Sequence, residues 1–249
     1  MDEVSTTLIF PVFAADERHF SIAKDCYHKT REQVPVVVVD DGAEWPGMKI
    51  FFMEEAQEGH CEYMPLSGHS GLTRSWEEGA VYAFDDRGSD VVIFGNQDAF
   101  PAREGDVAAL SSFCAKHKGE FFAVGPITNE PGHVDSQAGL KRSEYYRSVP
   151  IVNGFTFAVH RENYEKVLEH RETFFIADED RRYDFSRKEI VHHDGSPVRS
   201  LAYVGQEDEL FGFAAEKTKK PCAVTRSSFF HHIKLSLHLR ACAASLEMK

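Results

Sequence analysis

The run from Val34 to Val39 (VPVVVV) restricts what this chain can fold into more than any other segment. Its valines are β-branched and stiff at χ1, which favours extended backbone. No polar residue alternates with them, so a strand built from them is covered on both faces. Strands of that kind belong to parallel sheets with a layer of helices on each side. A second run of the same type, Val91–Phe94 (VVIF), follows later, and Thr7–Phe13 (TLIFPVF) precedes both.

The segments between these runs have helical spacing. From Asp16 to Gln33, apolar or small residues recur at Phe20, Ala23, Tyr27 and Thr30. Leu72, Trp76, Ala80, Ala83 and Phe84 share one side of a predicted helix over Gly71–Arg87, and Asp106–His117 reads as another. Met48–Met53 (MKIFFM) and Glu120–Val124 (EFFAV) are expected as further strands. The repeated β-α-β order predicts a mostly parallel, right-handed, doubly wound sheet flanked by helices. After Gly125 the rhythm changes. Pro126–Pro150 reads as a long loop, Phe155–Val159 as a strand, and Arg161–His170 as a helix. Arg181–Arg199 is polar. Glu207–Lys219 reads as a helix, Cys222–Thr225 as a strand, and Ile233–Leu246 as a closing helix. With no internal repeat and no break in composition over 249 residues, one domain, 1–249, is expected.

The formal charge of -12 repels a phosphate backbone, and no basic patch offsets it, so nucleic acid is not an expected partner. The five cysteines lack the close spacing of a zinc or redox motif, which suits a reducing compartment. The acidic, polar stretch Met1–Thr7 does not read as a secretory signal. No apolar run approaches the roughly 20 residues that span a bilayer. A cytoplasmic location is therefore expected.

In an open parallel sheet, ligands bind beyond the carboxyl ends of the strands. Two strands here end in acidic clusters, Asp40-Asp41-Gly42 and Asn96-Gln97-Asp98. Together they suit a metal cation, ribose hydroxyls or both. Each alone is also ordinary turn chemistry. Gly205–Leu210 (GQEDEL) places acids in a predicted first helical turn, where they complement the dipole with or without a catalytic role. Phe229-Phe230-His231-His232 offers two imidazoles after an apolar pair, and His192-His193-Asp194 is a rival metal cluster in a polar setting.

Taken in order, these pieces resemble glycosyltransferase family 2, a group of GT-A enzymes that use nucleotide sugars. Leu8–Phe13 is similar to its first strand, where a proline and an aromatic precede the base pocket. Val36–Gly42 is similar to its second strand and acidic turn. Gly71–Gly79 resembles the glycine-bounded segment between base and metal sites, and Val91–Pro101 the strand leading into the metal motif. Asn153–Arg161 resembles the glycine-aromatic strand behind the acceptor site, Gly205–Leu210 the element carrying the base, and Phe229–His232 the late histidine of the metal site. The likeness runs from about residue 7 to residue 236. Two positions depart from the pattern. Glu77 stands where asparagine is common, and Asp98 is the only carboxylate of the metal motif.

The resemblance implies a nucleotide-binding part over about 7–125 and an acceptor-binding part over about 126–249. It implies transfer of a sugar, with inversion, from a nucleoside-diphosphate sugar to a hydroxyl of a glycan or glycoconjugate. Asp98 with His231 or His232 would hold Mn²⁺ or Mg²⁺ across the diphosphate. Pro11, Phe13, Asp40, Asp41, Arg74, Asn96 and Gln97 would line the donor site, with Phe13 stacking on the base and Arg74 pairing with phosphate. Asp208 is implied as general base, with Glu207 second. The loop Pro126–Pro150 would close over the donor, or its Tyr145 and Tyr146 would carry the acceptor. Two other readings stand beside this one. A sugar-phosphate nucleotidyltransferase would need a glycine-rich loop after the first strand, where Pro11–Ala15 has no glycine. A non-catalytic nucleotide-sugar binding module would keep the fold without turnover.

Overall fold

The computed structural model describes residues 4–68, 70–129, 140, 141, 143–176, 181–184, 189–192 and 207–233. Of residues 170–176, 181–184, 189–192, 207–209 and 213, only the backbone is described.

Strand β1 (Thr6–Val12) lies between β2 (Val36–Asp40) and β4 (Val91–Gly95), parallel to both. β3 (Glu62–Pro65) adds in parallel outside β2. The order β3-β2-β1-β4 reverses at β1, so the crevice beyond its carboxyl end is a topological switch point. All five residues of β2 are buried. Alternate side chains enter two separate cores, as a period of two requires. Leu8, Phe10, Val36, Val38 and Ile93 meet Tyr27, Met48, Phe52 and Leu110 on one side. Ile9, Val37, Val39 and Phe94 meet Trp76, Ala80, Phe157 and Phe211 on the other.

Helix α1 (Glu17–Arg31) returns the chain from β1 to β2, burying Ala23, Cys26, Tyr27 and Thr30 at helical spacing. Asp16 caps it, its carboxylate accepting from His19 N at 2.9 Å. Met48–Met53 is not the expected strand; it lies inside α2 (Pro46–Gln57). Pro46 starts that helix where a missing N–H costs nothing. Met48, Phe52 and Glu55 turn inward, four and three residues apart, and Ile50 and Met53 stay 57% and 50% exposed. Burying Met48 and Phe52, worth about 1.5–3 kcal/mol each, decides the period over the apolar string. The third strand is instead the polar Glu62–Pro65, which needs little apolar character at a sheet edge.

Helix α3 (Leu72–Val81) and the π-helical turn Tyr82–Asp86 lead into β4, much as the spacing predicts. Beyond β4 the sheet becomes mixed. β8 (Thr156–His160) is antiparallel to β4 and to β6 (Val124–Thr128), and β11 (Cys222–His232) is parallel to β6. β5 (Ala99–Pro101) and β7 (Tyr146–Val149) both pair antiparallel with β11. These nine strands form one sheet, order β3-β2-β1-β4-β8-β6-β11-β5 with β7 on β11. The expected α/β class with a doubly wound sheet between helices holds.

The second half departs from expectation in detail. The expected strand Glu120–Val124 starts only at Val124; before it, Asn163 Nδ2 lies 3.2, 2.9 and 3.1 Å from Lys118 O, Phe121 O and Phe122 O, and Phe122 N donates to Pro221 O at 2.9 Å. The expected loop Pro126–Pro150 begins as β6 and ends as β7; residues 130–139 lie outside the described set. β9 (Arg181–Asp184) and β10 (Glu189–His192) pair antiparallel within the polar stretch. Helix α4 (Asp106–Lys116) follows β5, α5 (Arg161–Ile176) follows β8, and α6 (Glu207–Thr218) precedes β11. β11 extends past Thr225 through an irregularity to His232. The predicted closing helix lies outside the described residues beyond Ile233, as do His193, Asp194 and Gly205.

Candidate functional site

The carboxyl ends of β1, β2 and β4 lie side by side, and each carries polar groups into the switch-point crevice. Asp40 ends β2 and is 1% exposed. Its Oδ1 accepts from Ala43 N at 2.7 Å and its Oδ2 from the Tyr63 hydroxyl at 2.6 Å. Burial, with the Asp40 carboxylate beside it, pushes the Tyr63 hydroxyl well above its ordinary pKa. Asp41 Oδ1 accepts from Ser70 N at 2.6 Å and its Oδ2 from Gly71 N at 3.0 Å. Gly71 precedes α3 at φ 89°, a left-handed backbone suited to glycine. Asp41 therefore ties the start of α3 to the end of β2 and complements that helix's dipole. Both aspartates, expected to meet the donor, here meet the protein's own backbone and Tyr63.

Pro11 pairs with Val39 inside β1, and Phe13 follows, half-buried. The Phe13 backbone is held by the side chain of Gln97. Phe13 N donates to Gln97 Oε1 at 2.8 Å, and Gln97 Nε2 donates to Phe13 O at 2.9 Å. The amide expected to touch the nucleotide thus joins the end of β1 to the turn after β4. Arg74, in the first turn of α3, lies 3.8 Å from Glu77 and pairs closely with Glu78. Glu77 is 9% exposed.

Asp98, 6% exposed, lies in the turn between β4 and β5. The end of β11 comes to it, with Ile233 N donating to Asp98 O at 2.9 Å. His232 Nε2 then stands 3.5 Å from Asp98 Oδ2. That is long for a charge-assisted hydrogen bond. It suits two ligands of one cation, whose bonds to each are about 2.1 Å. The His232 ring stacks on Phe155, centroids 4.8 Å apart at 13°. Adjacent strand residues face opposite ways, and His231 lies between the rings of Phe100 (5.1 Å) and Phe229 (5.3 Å). Of the two histidines, His232 is the one brought to Asp98.

Among the described residues, two buried polar atoms here have no hydrogen-bond partner, Asn96 Oδ1 and His232 Nδ1. A buried acceptor left unpaired costs about 1–3 kcal/mol, which makes the Asn96 oxygen, two residues before Asp98, a candidate third ligand. The set of a carboxylate, an amide oxygen and an imidazole fits a hard to borderline divalent ion such as Mn²⁺, better than Mg²⁺, which prefers oxygen throughout. Among the described residues, Glu55, Glu58 and His60 form another acidic group. The Arg31 guanidinium and Tyr27 hydroxyl already engage Glu55, which makes it an ion-pair network.

Glu207 and Asp208 open α6; their side chains lie outside the described residues. Tyr145 and Tyr146, 61% and 41% exposed, gather around Phe113 with centroids at 6.2 and 5.6 Å. A cleft of about 960 Å³ runs along the outer side of α1, lined by Cys26, Lys29, Phe100, Arg103, Asn129 and His231 among others. His232 also borders it, but Phe13, Asp41, Arg74 and Asp98 do not, so it flanks the switch-point crevice. Sequence reading missed Asn129. It follows β6 and takes the backbone of His232, with His232 N donating to Asn129 Oδ1 at 2.9 Å and Asn129 Nδ2 donating to His232 O at 3.3 Å. No motif marks such an amide.

No protein-family model matches the chain, and no curated protein sequence matches it. Solved structures do. GalNAc-T7 with UDP, GalNAc and Mn²⁺ aligns at a TM-score of 0.64 and 13% identity, over 93% of this chain and 44% of that one. TarS 1-349 of S. aureus in complex with UDP aligns at 0.53 and 13% identity, over 92% of this chain and 60% of that one. The same protein with UDP-GlcNAc aligns at 0.52. The chain thus spans 44% to 60% of the length of these structures. The fold is that of the GT-A glycosyltransferases.

Proposed function

We propose that the chain is a divalent-metal-dependent glycosyltransferase that moves a sugar from a nucleoside-diphosphate sugar to a hydroxyl of a glycan or glycoconjugate. The observation that carries this reading is the convergence of Asp98 and His232, 3.5 Å apart, in the turn that follows β4. They meet at the topological switch point of a GT-A sheet. Structures of the same fold contain UDP, UDP-GlcNAc and Mn²⁺, in keeping with a donor and metal of those classes.

Asp98 and His232 would hold Mn²⁺ or Mg²⁺, with Asn96 beside them. The metal, when bound, neutralises charge that builds on the leaving diphosphate. Phe13 offers its ring to the base, while Pro11 and the Asp41-anchored loop at Ser70-Gly71 shape the floor below it. Arg74 reaches phosphate by exchanging its glutamate partners, an exchange that costs little for a half-exposed pair. Asp208, at the start of α6, takes the proton of the acceptor hydroxyl as that oxygen attacks the anomeric carbon from the face opposite the diphosphate. The configuration therefore inverts. Glu207 is the second choice for that role. Four described cysteines, Cys26, Cys61, Cys114 and Cys222, are free thiols, in keeping with work in a reducing compartment such as the cytoplasm.

The test is donor consumption. The chain is incubated with Mn²⁺, a panel of UDP- and GDP-sugars and a panel of glycan acceptors, and nucleoside diphosphate and glycosylated product are quantified. Product from one donor, lost in Asp208→Asn with nucleotide binding retained, supports the reading. Nucleotide binding without product from any pair of donor and acceptor would make the chain a binding module of the same fold.

A further inference from the structure

Two residues of the candidate site sit at strand ends, where a β-ladder has run out on one side. The β6·β11 ladder stops at Phe230↔Thr128, so among the described residues His232 has ladder support from Ala99 of β5 alone. On its other side, the Asn129 amide accepts from His232 N at 2.9 Å and donates to His232 O at 3.3 Å. The β1·β4 ladder stops at Ile9↔Phe94, and Phe13 lies beyond the end of β1. There the Gln97 amide accepts from Phe13 N at 2.8 Å and donates to Phe13 O at 2.9 Å. Each side chain thus takes both the N–H and the C=O of one residue, as the facing residue of an antiparallel pair does.

We infer that Asn129 and Gln97 are paired positioning residues, Asn129 setting the metal-binding half of the site through His232 and Gln97 setting the nucleotide-binding half through Phe13. The inference rests on the donor-site reading above and adds a division of labour to it. The backbone of His232 is pinned on both flanks, and its ring is pinned by Phe155, so the direction of Nε2 toward Asp98 is fixed. Removing the Asn129 amide leaves the β5 side intact and frees the other. Gln97 is adjacent in sequence to Asp98, so one turn places the metal carboxylate and, through the amide, the ring expected under the base.

Asn129 is exposed, and its truncation leaves the core untouched. The test measures two constants separately on the full chain. Mn²⁺ alone is titrated by loss of its free-ion EPR signal, and UDP and GDP are titrated by calorimetry at a Mn²⁺ concentration that saturates each variant. Asn129→Ala is expected to weaken Mn²⁺ binding by about 10- to 100-fold, the usual effect of losing a group that orients a ligand. Its nucleotide affinity at saturating Mn²⁺ stays unchanged. Gln97→Ala is expected to weaken the nucleotide that binds wild type by about tenfold, the effect of two lost hydrogen bonds, with Mn²⁺ affinity retained. Gln97→Met keeps the length of the side chain without either bond or a new charge, and replaces the alanine variant, with the same loss expected, should that one not fold. If wild type binds its ligands and the variants lower both constants together, or neither, this inference is overturned while the donor site stands. If wild type binds neither Mn²⁺ nor nucleotide, the donor site itself falls.

Discussion

Asp98 and His232 are 134 positions apart in the chain, by the difference of their numbers, yet the turn after β4 and the end of β11 bring them to one place. The alternation of β11 separates the roles of its two histidines, since His231 turns to Phe100 and Phe229. His232→Ala is therefore expected to weaken Mn²⁺ binding by about 10- to 100-fold, and His231→Ala to leave it within about twofold, by the same EPR titration. A second residue-scale prediction concerns Gly79. A Cβ there would come within 2.4 Å of Ile9 Cγ2, so α3 rests on β1 at a distance only glycine allows. Gly79→Val is expected to cost about 1–3 kcal/mol, read as a lower midpoint in urea unfolding. Burial pushes the thiols of Cys26, Cys114 and Cys222 up to about 12, with the Asp98 carboxylate adding to the effect at Cys26. These three are expected to resist alkylation at pH 8 until the chain unfolds, which peptide mass spectrometry after iodoacetamide would report.

Among the elements, α1 allows a pH prediction. The Asp16 carboxyl is held below its ordinary range, chiefly by the His19 backbone N–H it accepts from. A lowered folded-state pKa adds stability above the unfolded value and loses it as pH falls through the folded one. Asp16→Ala should thus cost about 1 kcal/mol at pH 7, the usual value of an N-cap. The gap from wild type should close as pH falls below the ordinary carboxylate range, as measured by urea unfolding across pH. Elements also show what the sequence made legible. The unbroken valines of β2 announced a strand covered on both faces, and α1, α3 and α4 followed from spacing, although α2 did not. Met48–Met53 misled because an apolar string looks alike in both periods; Pro46 was the signal for a helix. Asn163 takes the carbonyls of Phe121 and Phe122 with a single side chain, and no periodicity records that.

For the whole molecule, the order β3-β2-β1-β4 sets the site, because it places Phe13, Asp41 and the Asn96–Asp98 turn around one crevice. Those strand-end acids were legible as a cluster, but their partners were not. Asp40 and Asp41 turned to Ala43, Tyr63, Ser70 and Gly71, contacts that span up to 30 positions and depend on how loops return. The choice of His232 over His231 likewise depended on the register of β11 against β5, which a sequence does not display. The central claim is that this crevice binds a nucleoside diphosphate through a metal on Asp98. The most direct measurement is thermal unfolding of wild type and Asp98→Ala with UDP, GDP and their sugars, each with and without Mn²⁺. A ligand at about 100 times its dissociation constant adds about 2.7 kcal/mol of apparent stability. The account predicts Mn²⁺-dependent stabilisation of wild type by one nucleotide, lost in Asp98→Ala. Unchanged unfolding with every nucleotide, or stabilisation that persists equally in Asp98→Ala, would contradict it.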